Sequence, residues 1–191
     1  VKPEERRFSA AVNINDEQGS TLAARHLTAL GHRNIAYIST DRGVSLSFSV
    51  KSRFDVFCEC CRKEGAEPRI VTCHVAHDGH YQISDVVTQL MSLPEMPTAI
   101  ACQEDGIAVP LLFQLERNGF SVPNDISLIG YDDSIYTNDI GLTTIRQNPV
   151  EMARAAARMT LDLIQGRDPS PAFMEVPAQL VVRSSTSAVR R

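Results

Sequence analysis

The stretch TAIACQEDGIAVPLLFQLERNGFSVPNDISLIGY, Thr98 to Tyr131, decides the fold. Thr98 to Cys102 is a short, nearly unbroken apolar run of strand length, and Ile126 to Tyr131 is a second one. Between them Asp105 to Asn118 carries a helical pattern with Gly119 placed to stop it. Two such runs joined by a helix of this length make a strand-helix-strand crossover, which requires parallel strands buried on both faces.

The same rhythm extends toward the N-terminus. Asn34 to Ser39 reads as a strand, Val50 to Glu64 as a helix ended by Gly65, Arg69 to Cys73 as a strand, and Tyr81 to Ser92 as a helix ended near Pro94. Successive units of this kind predict an α/β fold: a parallel sheet with helices on both faces. Upstream, Ala10 to Ile14 is a strand candidate, and Asn15 or Asp16 caps a helix with Leu22, Ala23, Leu27 and Leu30 on its apolar face before Gly31. Downstream the order changes. Leu142 to Gln147 is extended, Pro149 opens a helix running to Gln165, and Phe173 to Arg183 is a strand broken by Pro177. That last helix carries Met152, Ala153, Ala156, Ala157, Met159, Leu163 and Ile164, so it needs a second layer. The segment before Gly31 is the obvious partner. Two lobes are therefore expected, the second too thin to stand alone, with Ser184 to Arg191 as a frayed polar tail.

Composition narrows the function. With 191 residues, 43% apolar and 22% charged, the chain has the profile of a globular protein. It has no apolar run long enough to cross a bilayer, and Val1 to Arg7 has no apolar segment behind its charges, so neither membrane nor secretion is expected. A net charge of -4 is the wrong sign for wrapping a phosphate backbone unaided. Cys58, Cys60, Cys61, Cys73 and Cys102 lack framework spacing, which suits a reducing cytoplasm, and the first three lie in a helical pattern as core residues. Neither a metal nor a cofactor is expected: Cys73, His74, His77, Asp78 and His80 read as a strand-to-helix loop, and nucleotide, phosphate-loop, nucleophile-elbow and zinc-protease motifs are missing.

Ligands of an open parallel sheet bind beyond the carboxyl ends of its strands. There the sequence offers Gln103-Glu104-Asp105 and Asp132-Asp133, with Arg53 near the start of a helix at the same end. A guanidinium donating to hydroxyl oxygens and a carboxylate accepting from hydroxyls can share a polyhydroxylated guest. For Asp105 and Asp133 a capping role competes evenly; Asp132 and Arg53 are the better ligand contacts.

Five segments together resemble the lac-repressor (LacI/GalR) family: Val12 to Gly19 with His26 to Ala36, Pro97 to Cys102, Val122 to Asp133, Leu142 to Gln147, and Leu180 to Thr186. The resemblance implies a periplasmic-binding-protein-like fold, two parallel α/β lobes joined by three crossings near residues 32 to 34, 144 to 148 and 178 to 181. Residues 1–33 would be a remnant of an incomplete N-terminal lobe, 34–146 the C-terminal lobe, 147–179 the return to the first lobe, and 180–191 the final crossing and tail.

It further implies an effector site of Arg53, Asp132, Glu104, Ala101 and Asp105. Glu104 stands where the family commonly has asparagine, Ala101 where an aromatic residue can line the pocket, and Val56 where glycine is usual. Pro110 stands where glycine is common and is expected to kink its helix or delay its start. The family's dimerisation face would include Leu111, Leu112, Ile135 and Tyr136. The function implied is that of the effector-binding, dimerising part of a cytoplasmic transcriptional regulator that is not an enzyme. It would sense a small molecule such as a sugar or polyol and meet operator DNA through an upstream helix-turn-helix headpiece absent from this chain. A transporter's sugar-binding protein is the alternative; an enzyme using Asp105, Asp132 and His77 or His80 is a third reading.

Overall fold

The computed structural model describes residues 10–41 and 48–190; the charged start Val1 to Arg7 and Arg191 lie outside them. The elements in chain order are β1 (Ala11–Ile14), α1 (Asp16–Ala29), β2 (Ile35–Thr40), α2 (Phe48–Lys63), β3 (Arg69–Cys73), α3 (Ile83–Met91), β4 (Ala99–Cys102), α4 (Asp105–Arg117), β5 (Ser127–Asp132), β6 (Thr143–Arg146), α5 (Pro149–Ile164), β7 (Phe173–Val176) and β8 (Gln179–Val181). Six strands form one sheet in the order β3-β2-β4-β5-β6-β8, parallel except for β8. A separate pair, β1-β7, is parallel.

Side chains of a strand alternate between faces, and the two cores follow that alternation. Ala36, Ile38, Ile100, Cys102 and Leu128 pack on one face against Val86, Val87 and Leu90 of α3 and Ile107, Ala108, Leu111 and Leu115 of α4. Ile35, Tyr37, Ala99, Ala101, Ile129, Tyr131 and Ile145 pack on the other, against Ala23, Ala24 and Leu27 of α1 and Phe57, Cys58 and Cys61 of α2. The crossovers between 34 and 131 thus give the doubly covered parallel sheet that their spacing predicts. The outer strand β3 is closed by a side chain: the Gln89 amide donates to the Thr72 carbonyl at 2.8 Å and accepts from the Thr72 N–H at 3.3 Å.

Four expectations change. First, α1 does not belong with β1 and β7. Its narrow face of Ala23, Ala24 and Leu27 lies on the large sheet, so the first connection between the two sheets falls at Asn15 rather than near 32 to 34. The others are Gln147-Asn148 and Pro177-Ala178. Second, β8 joins the large sheet as an antiparallel edge beside β6, which leaves the smaller unit as β1, β7 and α5. Third, α4 starts at Asp105 and runs through Pro110, so the proline, sixth in the helix, does not delay it. Fourth, the tail is docked rather than frayed. Ser185 donates its backbone N–H to the Gly141 carbonyl at 3.0 Å, while its carbonyl accepts the Leu128 N–H at 2.8 Å and its hydroxyl donates to the Leu128 carbonyl at 2.6 Å.

Two histidines hold that tail. His32 is buried, with Nδ1 2.9 Å from the Thr98 hydroxyl and Nε2 3.0 Å from the Ser187 carbonyl; Nε2 of His26 is 2.9 Å from the Thr186 hydroxyl. Burial lowers both pKa values below the usual 6.5, and their mutual repulsion adds to this for His26. The unfolded chain then binds more protons than the fold just below 6.5. This part of the stability is present above pH 6.5 and is lost as the pH falls through the depressed values. The histidine's share is read by difference: between pH 7.5 and 5.0, urea unfolding is expected to disfavour wild type relative to His32→Gln, which cannot charge, and an identical change in both proteins would remove His32 from the account.

Candidate functional site

Arg53 sits on α2 with only 9% of its surface exposed. Its Nε donates to Asp16 Oδ1 at 2.6 Å, and its guanidinium lies 4.0 Å from the centroid of the Tyr131 ring. One terminal nitrogen donates to the Gln103 carbonyl at 3.4 Å and faces Asp132 Oδ1 at 3.6 Å. Burial opposes the positive charge, but Asp16, Tyr131 and Asp132 overcome it and raise the arginine's pKa. Asp16 in turn accepts from the Tyr131 hydroxyl at 3.3 Å and from the Ser49 hydroxyl. The close seat of α1 on Tyr131 depends on Gly19, where a Cβ would lie 2.2 Å from the tyrosine oxygen.

Asp132 ends β5 at φ +115°, followed by Asp133 at φ +57°, a sharp turn of two residues in a region unfavourable to side chains. Gln147, directly after β6, donates from Nε2 to Asp132 Oδ1. Because β5 and β6 are parallel, both residues leave the sheet at the same end. Burial pushes the Asp132 carboxyl up to about 7; Arg53 pulls the other way, and Asp105 and Glu104 add to the rise.

Glu104 occupies the N-cap position of α4 without capping it. Its Oε1 instead accepts from the Tyr81 hydroxyl at 2.6 Å and from the Gln103 amide at 3.4 Å. Burial and the hydrogen bond to Glu104 raise the Tyr81 pKa. Gln103 braces the neighbouring strand end: its Oε1 accepts from the Ser39 hydroxyl at 3.0 Å and the Thr40 N–H at 3.1 Å.

The structure therefore brings Arg53, Asp132 and Glu104 to one end of the sheet and gives other work to the rest. Asp105 is 1% exposed, with Oδ1 accepting from the Thr144 hydroxyl and Oδ2 from the Ser134 N–H, each at 2.8 Å. It is a buried brace between α4, β6 and the turn after β5, not a ligand contact. Ala101 alternates into the core beneath α1 and α2 and is buried there. Leu111 and Leu112 belong to the core under α4 and cannot form a dimer face, whereas Ile135 and Tyr136 are 81% and 63% exposed. Asp133 accepts from Arg183 at 2.7 Å and Arg146 at 2.6 Å; these and Thr137 outweigh burial and lower its pKa. Sequence reading missed Asp16, Tyr131, Gln147 and Tyr81. Gln147 was reachable, since it follows a strand at the acidic end; Asp16 looked like an ordinary helix-start acid. Among the described residues, no three His, Cys, Asp or Glu side chains gather to hold a metal, and no helix is long and apolar enough to cross a membrane.

A doubly covered parallel sheet with an arginine-carboxylate cluster at its carboxyl end, joined by three connections to a second strand pair, has the architecture of a periplasmic binding protein lobe. The model of the periplasmic binding protein-like domain matches residues 24–186, and the chain belongs to that family. Within it, the chain is related to LacI/GalR-type transcriptional regulators. The arabinose metabolism transcriptional repressor of Geobacillus stearothermophilus is 32% identical over 187 residues, covering 93% of this chain and 50% of the relative. The repressor CytR of Escherichia coli is 38% identical over 183 residues, covering 93% and 52%. A LacI family regulator from Enterococcus faecium, solved with bound ribose, superposes with a TM-score of 0.82 at 27% identity, covering 97% of this chain and 68% of its own. The chain thus spans about half the length of the curated relatives it matches. These relatives are regulators rather than enzymes.

Proposed function

We propose that this chain is the effector-sensing part of a transcriptional repressor, and that it binds a hydroxyl-rich small molecule between its two units. The observation that carries this reading is the convergence of Arg53 and Asp132 at the carboxyl end of the sheet, 3.6 Å apart and beside the connections to β1-β7. The guanidinium edge donates to ring or hydroxyl oxygens, Asp132 and Glu104 accept from hydroxyls, and the Tyr131 face under Arg53 keeps the cation flat. The ribose bound by the Enterococcus faecium regulator is a guest of this chemical kind. Effector binding stabilises one relative orientation of the two units, and a dimer conveys that orientation to DNA-binding segments outside this sequence. The setting is the cytoplasm, where the DNA is. The net charge of -4 agrees with DNA contact being made elsewhere. A second copy would pack on Ile135 and Tyr136, with Phe113 of α4 also exposed.

A thermal-shift screen of pentoses, hexoses, polyols and nucleosides, followed by calorimetry, tests the reading. A ligand at a hundred times its Kd adds about 2.7 kcal/mol of stability. Asp132→Ala is expected to abolish the shift, and unchanged affinity in that variant would move the site elsewhere. The pH dependence is a second check. A guest donating hydroxyls prefers the ionised Asp132, so affinity should rise as the pH climbs through about 7, and Asp132→Asn should flatten the profile. Without ligand the sign reverses. The fold holds the Asp132 proton more tightly than the unfolded chain does, so its contribution to stability declines as pH rises from the usual carboxylate range to about 7.

A further inference from the structure

Each of the two side chains that converge at the sheet mouth is also bonded to a residue at a connection between the units. Arg53 is held by Asp16, the first residue of α1, one position beyond the Asn15 connection. Asp132 is held by Gln147, the first residue of the second connection. The third connection is tied to the first: the Asn15 N–H donates to the Val176 carbonyl at 2.9 Å, and the Ala178 N–H donates to Gln18 Oε1 at 3.0 Å. The chain reverses sharply here, with Asn148 in the left-handed region at φ +52° while its side chain caps α5.

We propose that Asp16 and Gln147 are positioning residues that couple the mouth of the sheet to the orientation of β1, β7 and α5. This rests on the effector reading for its biological use, though not for its test. A guest that draws the Arg53 guanidinium or the Asp132 carboxylate toward itself pulls on Asp16 and Gln147, which lie in the backbone segments the smaller unit must pivot on. The coupling needs no long relay, because one hydrogen bond separates each ligand-facing group from a connection. The arrangement is also paired. Asp16 answers a cation and Gln147 an anion, so a guest bridging Arg53 and Asp132 acts on two connections at once, and the Asn15-Val176 and Gln18-Ala178 bonds recruit the third.

The test measures the orientation directly and needs no ligand. Spin labels are introduced as unnatural amino acids at Glu59 on α2 and Ala157 on α5, both exposed, leaving the native cysteines untouched. Pulsed dipolar spectroscopy on the protein is expected to give one narrow distance peak. Asp16→Asn and Gln147→Leu should each at least double its width, and Asp16→Glu, which returns a carboxylate, should restore it. The control is Asp133→Asn, which breaks a comparably buried ion-pair cluster within the large sheet and should leave the peak as it is. Wild-type distributions in both Asp16→Asn and Gln147→Leu would overturn the coupling, as would equal broadening in Asp133→Asn, which would mark general loosening. A failed ligand screen with these distance results intact would strike only the effector reading.

Discussion

Replacing Arg53 by alanine is expected to destroy effector binding and to destabilise the fold together. The first effect follows from losing the site's cation. The second follows from what the arginine leaves behind: Asp16, nearly as buried as its partner, loses its bond at 2.6 Å and the charge that compensates it. Breaking one half of a buried pair costs about 3 kcal/mol or more, because the abandoned charge stays desolvated. The two losses can be separated. Arg53→Gln with Asp16→Asn removes both charges together and should recover much of the stability by urea unfolding while leaving calorimetric binding absent. A double variant no more stable than Arg53→Ala would mean that the guanidinium's packing on Tyr131, rather than the orphaned carboxylate, sets the cost.

The second large effect is steric. A Cβ on Gly130, in the middle of β5, would lie 2.1 Å from Asp105 Oδ1, 3.2 Å from Leu142 and 3.3 Å from Ala108. The carboxylate cannot simply swing aside, because Thr144 and the Ser134 backbone hold its two oxygens. Moving it would orphan a buried carboxylate whose burial already raises its pKa. Gly130→Ala should therefore lower stability by about 3 kcal/mol, at the upper end of ordinary overpacking. A loss below about 1 kcal/mol would show that α4 can shift to make room.

Both effects pass through residues whose roles differ in how visible they are in a sequence. The parallel sheet was legible because its signals are local: apolar runs at 34–39, 98–102 and 126–131, helical periodicity between them, and glycines at the helix ends. Asp132 was legible as a candidate because the strand-end rule is positional, and Arg53 because its helix begins at the same end of the sheet. Asp105 was misassigned because it obeys the same rule yet turns inward, and only the placement of Thr144 and Ser134 reveals that. The location of α1 was hidden for a related reason. A face of Ala23, Ala24 and Leu27 says that a helix is buried, not which sheet covers it. The docked tail was hidden because serines and threonines look solvated until backbone groups as distant as Leu128 and Gly141 are known to need them.

The Gln89 amide that occupies both backbone groups of Thr72 on β3 has a consequence for behaviour at high concentration. An unguarded border there would invite a foreign strand to add itself, the first step toward fibres. One glutamine, by imitating a peptide group, denies that template to neighbouring molecules at the position where a ladder would start. Protein carrying Gln89→Ala should keep its native shape when dilute and polymerise sooner when crowded.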